Sequence, residues 1–339
     1  MPYLHITEQG ATLRKTGDRL IVEKDDQQLL ELECRHVEGV LLYGNVQVTT
    51  QALAEMLEHR IELALLSESG KLRGQLTPPA SANVSLRLAQ YARHADPPAR
   101  LQLARTIVQS KLLNGAHVLR RAVHHIPNPE VTATAEILEN AAKRASVAAD
   151  TDTLRGIEGS AAKQLFQAYS LLFRGELPFE GRSSRPPRDP VNALLSFGYV
   201  LLGNQILWQL DAIGLDPHIG LYHEPRHGRP ALALDLVEEF RHPCVDRLTL
   251  TLVNRRILTP GDFQPPDPNE GVRLTRPGLR KYLTHWERWM QYPGRHPVTG
   301  EPLTWRGAIR RQAELLARAL RDNTPYQPLI LRPGTESEP

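Results

Sequence analysis

The sequence predicts an α+β protein in which a small N-terminal β-rich domain is followed by a larger, mainly α-helical domain. Three observations support this prediction. Residues 1–77 contain short apolar runs separated by turn pairs such as Gly44-Asn45. Residues 78–83 form a short segment of proline, alanine, serine and asparagine that is typical of a linker. Beyond it, apolar residues recur with helical spacing over most of the remaining chain.

In the N-terminal domain, four short apolar runs predict strands, at 20–22, 40–43, 46–48 and 63–66. Thr50 is expected to cap one helix between them. The sequence of this domain has no evident cluster of metal-ligating side chains. Dimerisation or binding therefore suits it better than catalysis.

The larger domain is expected to run from residue 84 to 325, with helices near 83–95, 97–123, 130–148, 158–173, 190–213, 231–241 and 303–321. The helix at 190–213 follows Asp189-Pro190, an acidic N-cap with proline at the first helical position. Apolar residues cover so much of its circumference that it should be the central core helix. Residues 326–339 are expected to form a disordered tail.

Composition is ordinary for a soluble globular protein, because 41% of the 339 residues are hydrophobic and 23% are charged. No apolar run reaches the length of a membrane span, and the N-terminus lacks a signal pattern, so we expect a cytoplasmic protein with no membrane partner. The two cysteines, Cys34 and Cys244, fit a reducing compartment and argue against a cysteine metal site.

Basic residues are concentrated near the C-terminus. Residues 273–321 contain eleven arginines and lysines but three glutamates, interleaved with tryptophan and tyrosine. Such a surface is typical of nucleic-acid contact, since phosphates supply most of the affinity. The alternative is that the aromatic residues belong to the core and the charges to a solvated helix face.

The stretch Gly214–Arg241 carries the clearest chemical pattern. Its glycine- and proline-rich loop contains three histidines: His218, His223 and His227. A short helix follows, on which Asp235 and Glu238 are three residues apart and share a face. Clustered carboxylates repel one another unless a cation lies between them, so the pattern indicates a divalent metal. A solvated loop and acidic helix face remain the alternative.

Within this stretch, residues 223–227 match the H-E-x-x-H pattern of zinc proteases. That motif requires both histidines on one continuous helix. Pro225 and Gly228 would interrupt such a helix, so a metalloprotease is disfavoured.

Glu158 lies among small residues, between Gly156 and Gly159 and just before Ala161. Small neighbours let another backbone come close, as a metal ligand buried among helices requires. Arg155 could instead pair with Glu158 in an ordinary ion pair.

Three segments in this order resemble the CRISPR-associated endonuclease/integrase family of spacer acquisition (Cas-one, or Cas1). They are Arg155–Gly159 with Ala161-Ala162, Asp189–Leu195 with Gly198-Tyr199, and Gly214–Arg241. The resemblance implies that the helical domain is catalytic and that a homodimer forms largely through the N-terminal domain. It also implies that two such dimers flank a dimer of a small partner, Cas-two (Cas2).

Residue by residue, the resemblance implies that Glu158, His223 and Glu238 are metal ligands and catalytic. Asp235 is implied to be a fourth catalytic residue, which orients the histidine or helps to deprotonate the nucleophile. The doublet Glu238-Glu239 leaves a small ambiguity of register, which the three-residue spacing resolves in favour of Glu238. Carboxylates with one imidazole suit Mg²⁺ or Mn²⁺.

The predicted function is therefore a metal-dependent DNA endonuclease/integrase of CRISPR adaptation. It would join the 3′-OH ends of captured double-stranded DNA fragments to a CRISPR repeat by transesterification. The alternative is a non-catalytic nucleic-acid-binding scaffold protein whose acidic cluster holds no metal.

Overall fold

The computed structural model describes residues 3–68, 70, 72–76, 83–183 and 186–332. It divides into two compact units, composed of Met1–Ala80 with Thr275–Gln291 and of Ser81–Leu274 with Tyr292–Pro339. The first unit is rich in strands and the second in helices, which confirms the predicted α+β class.

The strands are β1 (Tyr3–Ile6), β2 (Thr12–Thr16), β3 (Arg19–Lys24), β4 (Gln27–Glu33), β5 (Gly39–Tyr43), β6 (Gln47–Val48), β7 (Glu62–Leu66), β8 (Leu72–Leu76), β9 (Pro293–Arg295) and β10 (Pro302–Thr304). The helices are α1 (Thr50–Glu58), α2 (Val84–Ala95), α3 (Pro97–His125), α4 (Pro129–Ala145), α5 (Thr151–Ser170), α6 (Pro190–Ile213), α7 (Ala231–Phe240), α8 (Arg247–Asn254), α9 (Arg276–Met290) and α10 (Trp305–Asp322).

The first unit contains two four-stranded sheets, with strand orders β1-β5-β7-β8 and β4-β3-β2-β6. Strands β1, β5 and β7 run parallel, and β8 returns antiparallel to β7. The core of this unit combines residues from both sheets with one face of α1, among them Leu13, Leu42 and Met56. Helix α1 thus covers apolar sheet surface, which stabilises both elements.

Helix α9 belongs to the first unit, although the sequence places it inside the predicted catalytic domain. Glu287 explains why, since it accepts a hydrogen bond from the Tyr3 backbone N–H (3.1 Å) and lies 2.9 Å from Nε2 of His5. Tyr282 and Trp286 of the same helix are buried. The structure therefore differs from the predicted uninterrupted domain 84–325, because residues 275–291 group with the N-terminal strands.

Helix α6 is the central helix of the second unit. It is long and apolar enough to cross a membrane by length and composition, but 67% of its most apolar window is buried inside the protein. Asp189 caps its first turn by accepting a hydrogen bond from the Asn192 backbone N–H (2.8 Å), and Gly214 ends it with a positive φ of 97°. A buried core helix passes the same length test as a membrane span.

Helices α7 and α8 are joined by a π-helical segment, Arg241–Asp246, that contains Pro243. Proline cannot donate the usual backbone hydrogen bond, so the wider turn accommodates it without ending the helix. This irregular turn places Arg241, His242 and Asp246 directly after the predicted ligand Glu238.

The first part of the predicted disordered tail, residues 326–332, is ordered. Tyr326, Leu329 and Leu331 are buried, and the backbone N–H of Leu331 donates to Asn114 of α3 (2.9 Å). Residues 326–332 therefore pack within the second unit. Residues 333–339 lie outside the described residues, as do residues 78–82 of the predicted linker 78–83.

Candidate active site

Two helices and one loop of the second unit supply the residues that the sequence singled out. Glu158 lies in the third turn of α5, because that helix begins at Thr151 rather than near residue 158. Asp150 caps it by accepting a hydrogen bond from the Thr153 backbone N–H (2.7 Å). His223 lies in the loop before α7, and Asp235 and Glu238 face inward from α7 itself.

Lys111 of α3 joins two of these carboxylates. Its ammonium group forms ion pairs with Glu158 and with Oε2 of Glu238, the latter at 2.8 Å. Lys111 is 6% exposed, so the charge is held in the protein interior. A buried positive charge between two carboxylates relieves their repulsion, which is the role that the sequence assigned to a metal.

Asp235 fixes the position of His223. Its carboxylate accepts hydrogen bonds from the backbone N–H groups of Leu221 (2.5 Å), Tyr222 (3.0 Å) and His223 (2.8 Å). Oδ1 also lies 2.8 Å from Nδ1 of the His223 ring. Because a carboxylate only accepts, Nδ1 donates this hydrogen bond, and Nε2 is the ring nitrogen that a metal could use.

Asp235 is 1% exposed and both its oxygens are occupied by the loop. Of the two roles that the sequence left open, orienting the histidine fits this environment, whereas deprotonating a nucleophile does not. The geometry places Asp235 where it holds the His223 ring and the loop backbone.

Tyr222 lies beside Glu158 and donates its hydroxyl hydrogen to Oε2 of that carboxylate. Burial, together with the negative charge of Glu158, raises the pKa of Tyr222 well above its usual value, so the hydroxyl stays protonated. Glu158 thus has one oxygen on Tyr222 and the other on Lys111.

Glu238 is ionised although it is buried. Burial alone would raise the pKa of Glu238, but the positive charges of Arg241 and Lys111 outweigh that effect and hold it well below its usual range. Arg241 contributes through Nη1, which lies 3.2 and 3.0 Å from the two carboxylate oxygens. Glu238 is therefore a negative charge available to a cation at neutral pH.

A second layer of polar residues supports Arg241. Its guanidinium lies over the ring of Tyr199 of α6, 4.5 Å from the centroid, and the Tyr199 hydroxyl donates to Asp246. Asp246 also lies 2.6 Å from Nδ1 of His242. The π-helical segment thus places its charged residues behind Glu238, and Tyr199 of α6 contacts two of them, Arg241 and Asp246.

Glu239 points away from this cluster, which supports the choice of Glu238. Its carboxyl group binds the C-terminal segment, accepting hydrogen bonds from the Tyr326 hydroxyl and the Leu329 backbone N–H, both at 2.7 Å. Burial raises the pKa of Glu239 to about 8. It therefore anchors the segment that follows α10 rather than facing Lys111.

The predicted ligands do not yet form a compact metal-binding group. Within the described residues, one set of three ligating side chains has its donor atoms all within 4.8 Å of one another, and it consists of Cys34, Glu55 and His59. Glu158 and Glu238 are brought together through Lys111. The donor atoms of Glu158, Glu238 and His223 therefore do not all lie within that distance of one another.

The other candidates of the histidine loop have different roles. The loop contains an isolated bridge between Arg226 and Arg229 and no helix, so the geometry of a zinc protease is absent from these described residues. His227 is exposed, and Glu224 pairs with Arg100 at 2.7 Å. Arg155 pairs with Asp152 and Glu224 (3.3 and 3.7 Å), so the alternative ion pair with Glu158 is wrong.

Sequence reasoning missed Lys111 and Arg241. On the sequence alone, a lysine on a helix fits a solvated face. The structure instead buries Lys111 together with Ile107 and Val108, which lie one turn earlier on the same side of α3. The spacing of Lys111, four and three residues from the apolar Ile107 and Val108, is a sequence signal that could have identified it.

The chain matches the family model "CRISPR associated protein Cas1" over residues 4–288. It is 36% identical over 336 residues to the CRISPR-associated endonuclease Cas1 2 of Rhodospirillum rubrum, covering 96% of each chain. A solved structure of a Cas1 protein from Thermotoga maritima is 26% identical, with a TM-score of 0.79 and coverage of 94% of this chain and 97% of that one. Another, the "Cas6-RT-Cas1--Cas2 complex", is 25% identical with a TM-score of 0.78, and it is matched over 99% of this chain and 36% of that longer one. By its family match and its near-complete alignment with a relative, this chain belongs to the CRISPR-associated Cas1 family.

Proposed function

We propose that this protein is a metal-dependent DNA endonuclease/integrase of CRISPR adaptation. It joins the 3′-OH ends of captured double-stranded DNA fragments to a CRISPR repeat by transesterification. The family membership supports the general activity, since the aligned relative is named an endonuclease. The proposed metal dependence and the assignment of the catalytic residues are argued from the chemistry of the site.

One observation carries the proposal: two carboxylates from separate helices, Glu158 and Glu238, share a single buried cation, Lys111. The surroundings of these carboxylates already stabilise a positive charge, and His223 beside them presents an imidazole whose tautomer Asp235 fixes. Two carboxylates and one imidazole nitrogen are a suitable donor set for Mg²⁺ or Mn²⁺. Glu158, His223 and Glu238 would hold the ion after a side-chain movement of Lys111.

A divalent cation bound there supplies Lewis acidity toward the non-bridging oxygens of a phosphodiester. The protein's own groups supply position: Asp235 holds His223, Tyr222 holds Glu158, and Arg241 keeps Glu238 ionised. With water as the nucleophile the outcome is DNA cleavage, and with a DNA 3′-hydroxyl it is strand transfer. Exchange of one phosphodiester for another is nearly neutral in energy, so positioning is the main requirement.

Duplex DNA is the proposed substrate. Exposed basic residues on two helices supply charge for phosphates, among them Arg276, Arg280 and Arg288 on α9 and Arg310 and Arg318 on α10. The aromatic residues between them, including Trp286 and Trp289, are buried and belong to the core. DNA affinity is expected to fall steeply as salt rises, because it depends on phosphate contacts. An affinity that is independent of salt would contradict this assignment.

We further propose a cytoplasmic homodimer that assembles with a Cas2-like partner dimer. Leu29 and Leu30 of β4, an edge strand of its sheet, are 49% and 37% exposed, and an apolar sheet edge is suited to pairing with a second copy. The similarity to a chain from a complex that contains Cas2 supports the second partner. Two free, buried cysteines fit a reducing compartment.

The specific alternative is a scaffold that binds nucleic acid without metal. It is favoured by Lys111, because an acidic cluster with a lysine counter-charge is electrostatically complete without a bound ion. Calorimetric titration with Mn²⁺ separates the two functions. The enzyme binds the ion with heat that disappears in Glu158→Gln, and the scaffold shows no such heat.

The proposed activity is tested with a strand-transfer assay that uses duplex DNA, purified Cas2-like partner and Mg²⁺ or Mn²⁺. Glu158→Gln and His223→Ala are expected to abolish cleavage and strand transfer without unfolding the protein. Glu224→Gln is the matched control, since it changes an exposed glutamate of the same loop. Full activity in a folded Glu158 or His223 variant would refute the assignment.

A further inference from the structure

A second group of potential metal ligands lies in the first unit, in a domain for which the sequence indicated none. Cys34 begins a short 3-10 turn, Cys34–His36, after β4. Glu55 is on α1, and His59 comes one turn after Glu55, directly after the last residue of that helix. Donor atoms of the three side chains all lie within 4.8 Å of one another, and Nε2 of His59 is 3.1 Å from Oε1 of Glu55.

We propose that Cys34, Glu55 and His59 bind one Zn²⁺ ion, with water as a fourth ligand. A thiolate, a carboxylate and an imidazole are the three ligand types that zinc uses in proteins. Zinc–ligand bonds of about 2.0–2.3 Å in a tetrahedron separate the ligand atoms by roughly 3.5 Å. The side chains therefore need to close by little more than ~1 Å from their present separation of up to 4.8 Å.

Two of the three proposed ligands are buried, and the third leaves one side of the site open to solvent. Cys34 is 1% and Glu55 8% exposed, whereas the His59 side chain is 40% exposed. The ion would thus enter past the histidine, and a water would complete the coordination on the solvent side. On binding, the Cys34 thiol releases its proton to solvent, the Zn–S bond forms, and no oxidation state changes.

Lys15 of β2 is a competitor for this site. Its ammonium group pairs with Glu55. When the metal binds, Glu55 would either contact both cations or exchange Lys15 for the metal. Without metal, burial raises the pKa of the Cys34 thiol, and the negative charge of Glu55 adds to that effect. A dication beside both groups reverses that balance and favours the thiolate.

The ion would tie the 3-10 turn to the C-terminal end of α1. These two elements are connected through β5 and β6, and direct cross-linking would stabilise the first unit as structural zinc sites do. The proposal does not depend on the proposed DNA chemistry, because its residues are separate from Glu158, His223 and Glu238.

The test uses the full-length protein, stripped of metal with EDTA and dialysed. It is then titrated with Co²⁺, whose thiolate complexes absorb in the near ultraviolet, and in parallel with Zn²⁺, followed by metal analysis and thermal unfolding. We expect one tightly bound Zn²⁺ per chain, a cobalt–thiolate band and a higher Tm with zinc. Lys15→Gln is expected to bind Zn²⁺ more tightly.

Cys34→Ala and His59→Gln are expected to lose the band and the zinc-dependent rise in Tm. The matched controls are Cys244→Ala, the other buried cysteine, and His36→Gln, an exposed histidine of the same turn, and both should keep them. Should Cys34→Ala not fold, the half-exposed His59 provides the decisive variant. Absence of a band in the wild-type protein, or its persistence in folded Cys34→Ala or His59→Gln, would overturn the proposal.

Discussion

Lys111 is the residue whose replacement tests the electrostatics of the site most sharply. Replacing it with methionine keeps the length of the side chain but removes the charge between Glu158 and Glu238. Removing one partner of a buried ion pair costs about 3–5 kcal/mol, because an uncompensated charge stays in the interior. Here Glu238 keeps Arg241 at 3.0 Å, and Glu158 keeps the Tyr222 hydroxyl. Because both carboxylates keep a partner, we expect a loss at or just below the lower end of that range, about 2–3 kcal/mol of unfolding free energy in EDTA.

Metal should reverse this loss. A ligand that binds only the folded protein stabilises it by about 2.7 kcal/mol at a hundredfold excess over Kd. In Lys111→Met the ion has no ammonium group to displace, so Mn²⁺ should bind the variant more tightly and restore most of the lost stability. The wild-type protein should gain less from the same Mn²⁺ concentration.

The assay is urea unfolding followed by circular dichroism, in EDTA and in excess Mn²⁺. Lys163→Met, which removes an exposed lysine of α5, is the matched control and should change the unfolding free energy by less than about 0.5 kcal/mol. The reasoning fails if Lys111→Met is as stable as the control in EDTA, or if Mn²⁺ stabilises the variant no more than the wild type.

Two further predictions concern residues next to the site. Asp235→Asn should lower Mn²⁺ affinity and strand-transfer activity by roughly 10–100-fold, because the amide no longer fixes the His223 tautomer. Asp152→Asn, which changes a side chain that is 93% exposed, should change neither. Equal losses in both variants would contradict the positioning role. Glu239 has a folded-state pKa of about 8, above its value in the unfolded chain. The folded protein thus holds the extra proton, and stability is lost as pH rises through that pKa, by about 2–3 kcal/mol between about pH 6 and pH 9. Glu239→Gln should lack this decline in urea unfolding, and a variant with the same pH profile as wild type would disprove the assignment.

Much of the fold was predictable because local signals agreed with the tertiary structure. The helix at 190–213 was predicted with its observed bounds, since Asp189, Pro190 and Gly214 mark both ends. The histidine loop was correctly predicted as non-helical, because proline and glycine exclude a helix there.

Other features depend on contacts that periodicity does not reveal. Helix α9 has a Thr275 cap and a proline in its first turn, and both are visible in the sequence. Its grouping with the N-terminal strands depends on the contact between Glu287 and His5, which are 282 residues apart in the sequence. The prediction of disorder was wrong for residues 326–332, because it followed composition, whereas Glu239 and Asn114 bind the backbone of this segment. Spacing in the sequence cannot identify such partners.

In the candidate site, too, some residues are marked by local sequence signals and others are identified only by contacts between distant segments. Glu158, Asp235 and Glu238 could be singled out from spacing and small neighbours, but their counter-charges could not. Lys111 is about fifty residues from Glu158 in the sequence, and only folding brings the two together. The Cys34–Glu55–His59 group was missed for the same reason, since Cys34 is distant in sequence from its two neighbours.

The most direct test of the account is a crystal of the full-length protein soaked in Mn²⁺ and measured for anomalous scattering. The account predicts a manganese peak within coordination distance of Glu158, Glu238 and Nε2 of His223, with the Lys111 ammonium moved out of its place between the carboxylates. A fully soaked crystal in which Lys111 still joins Glu158 and Glu238, with no manganese beside His223, would contradict it.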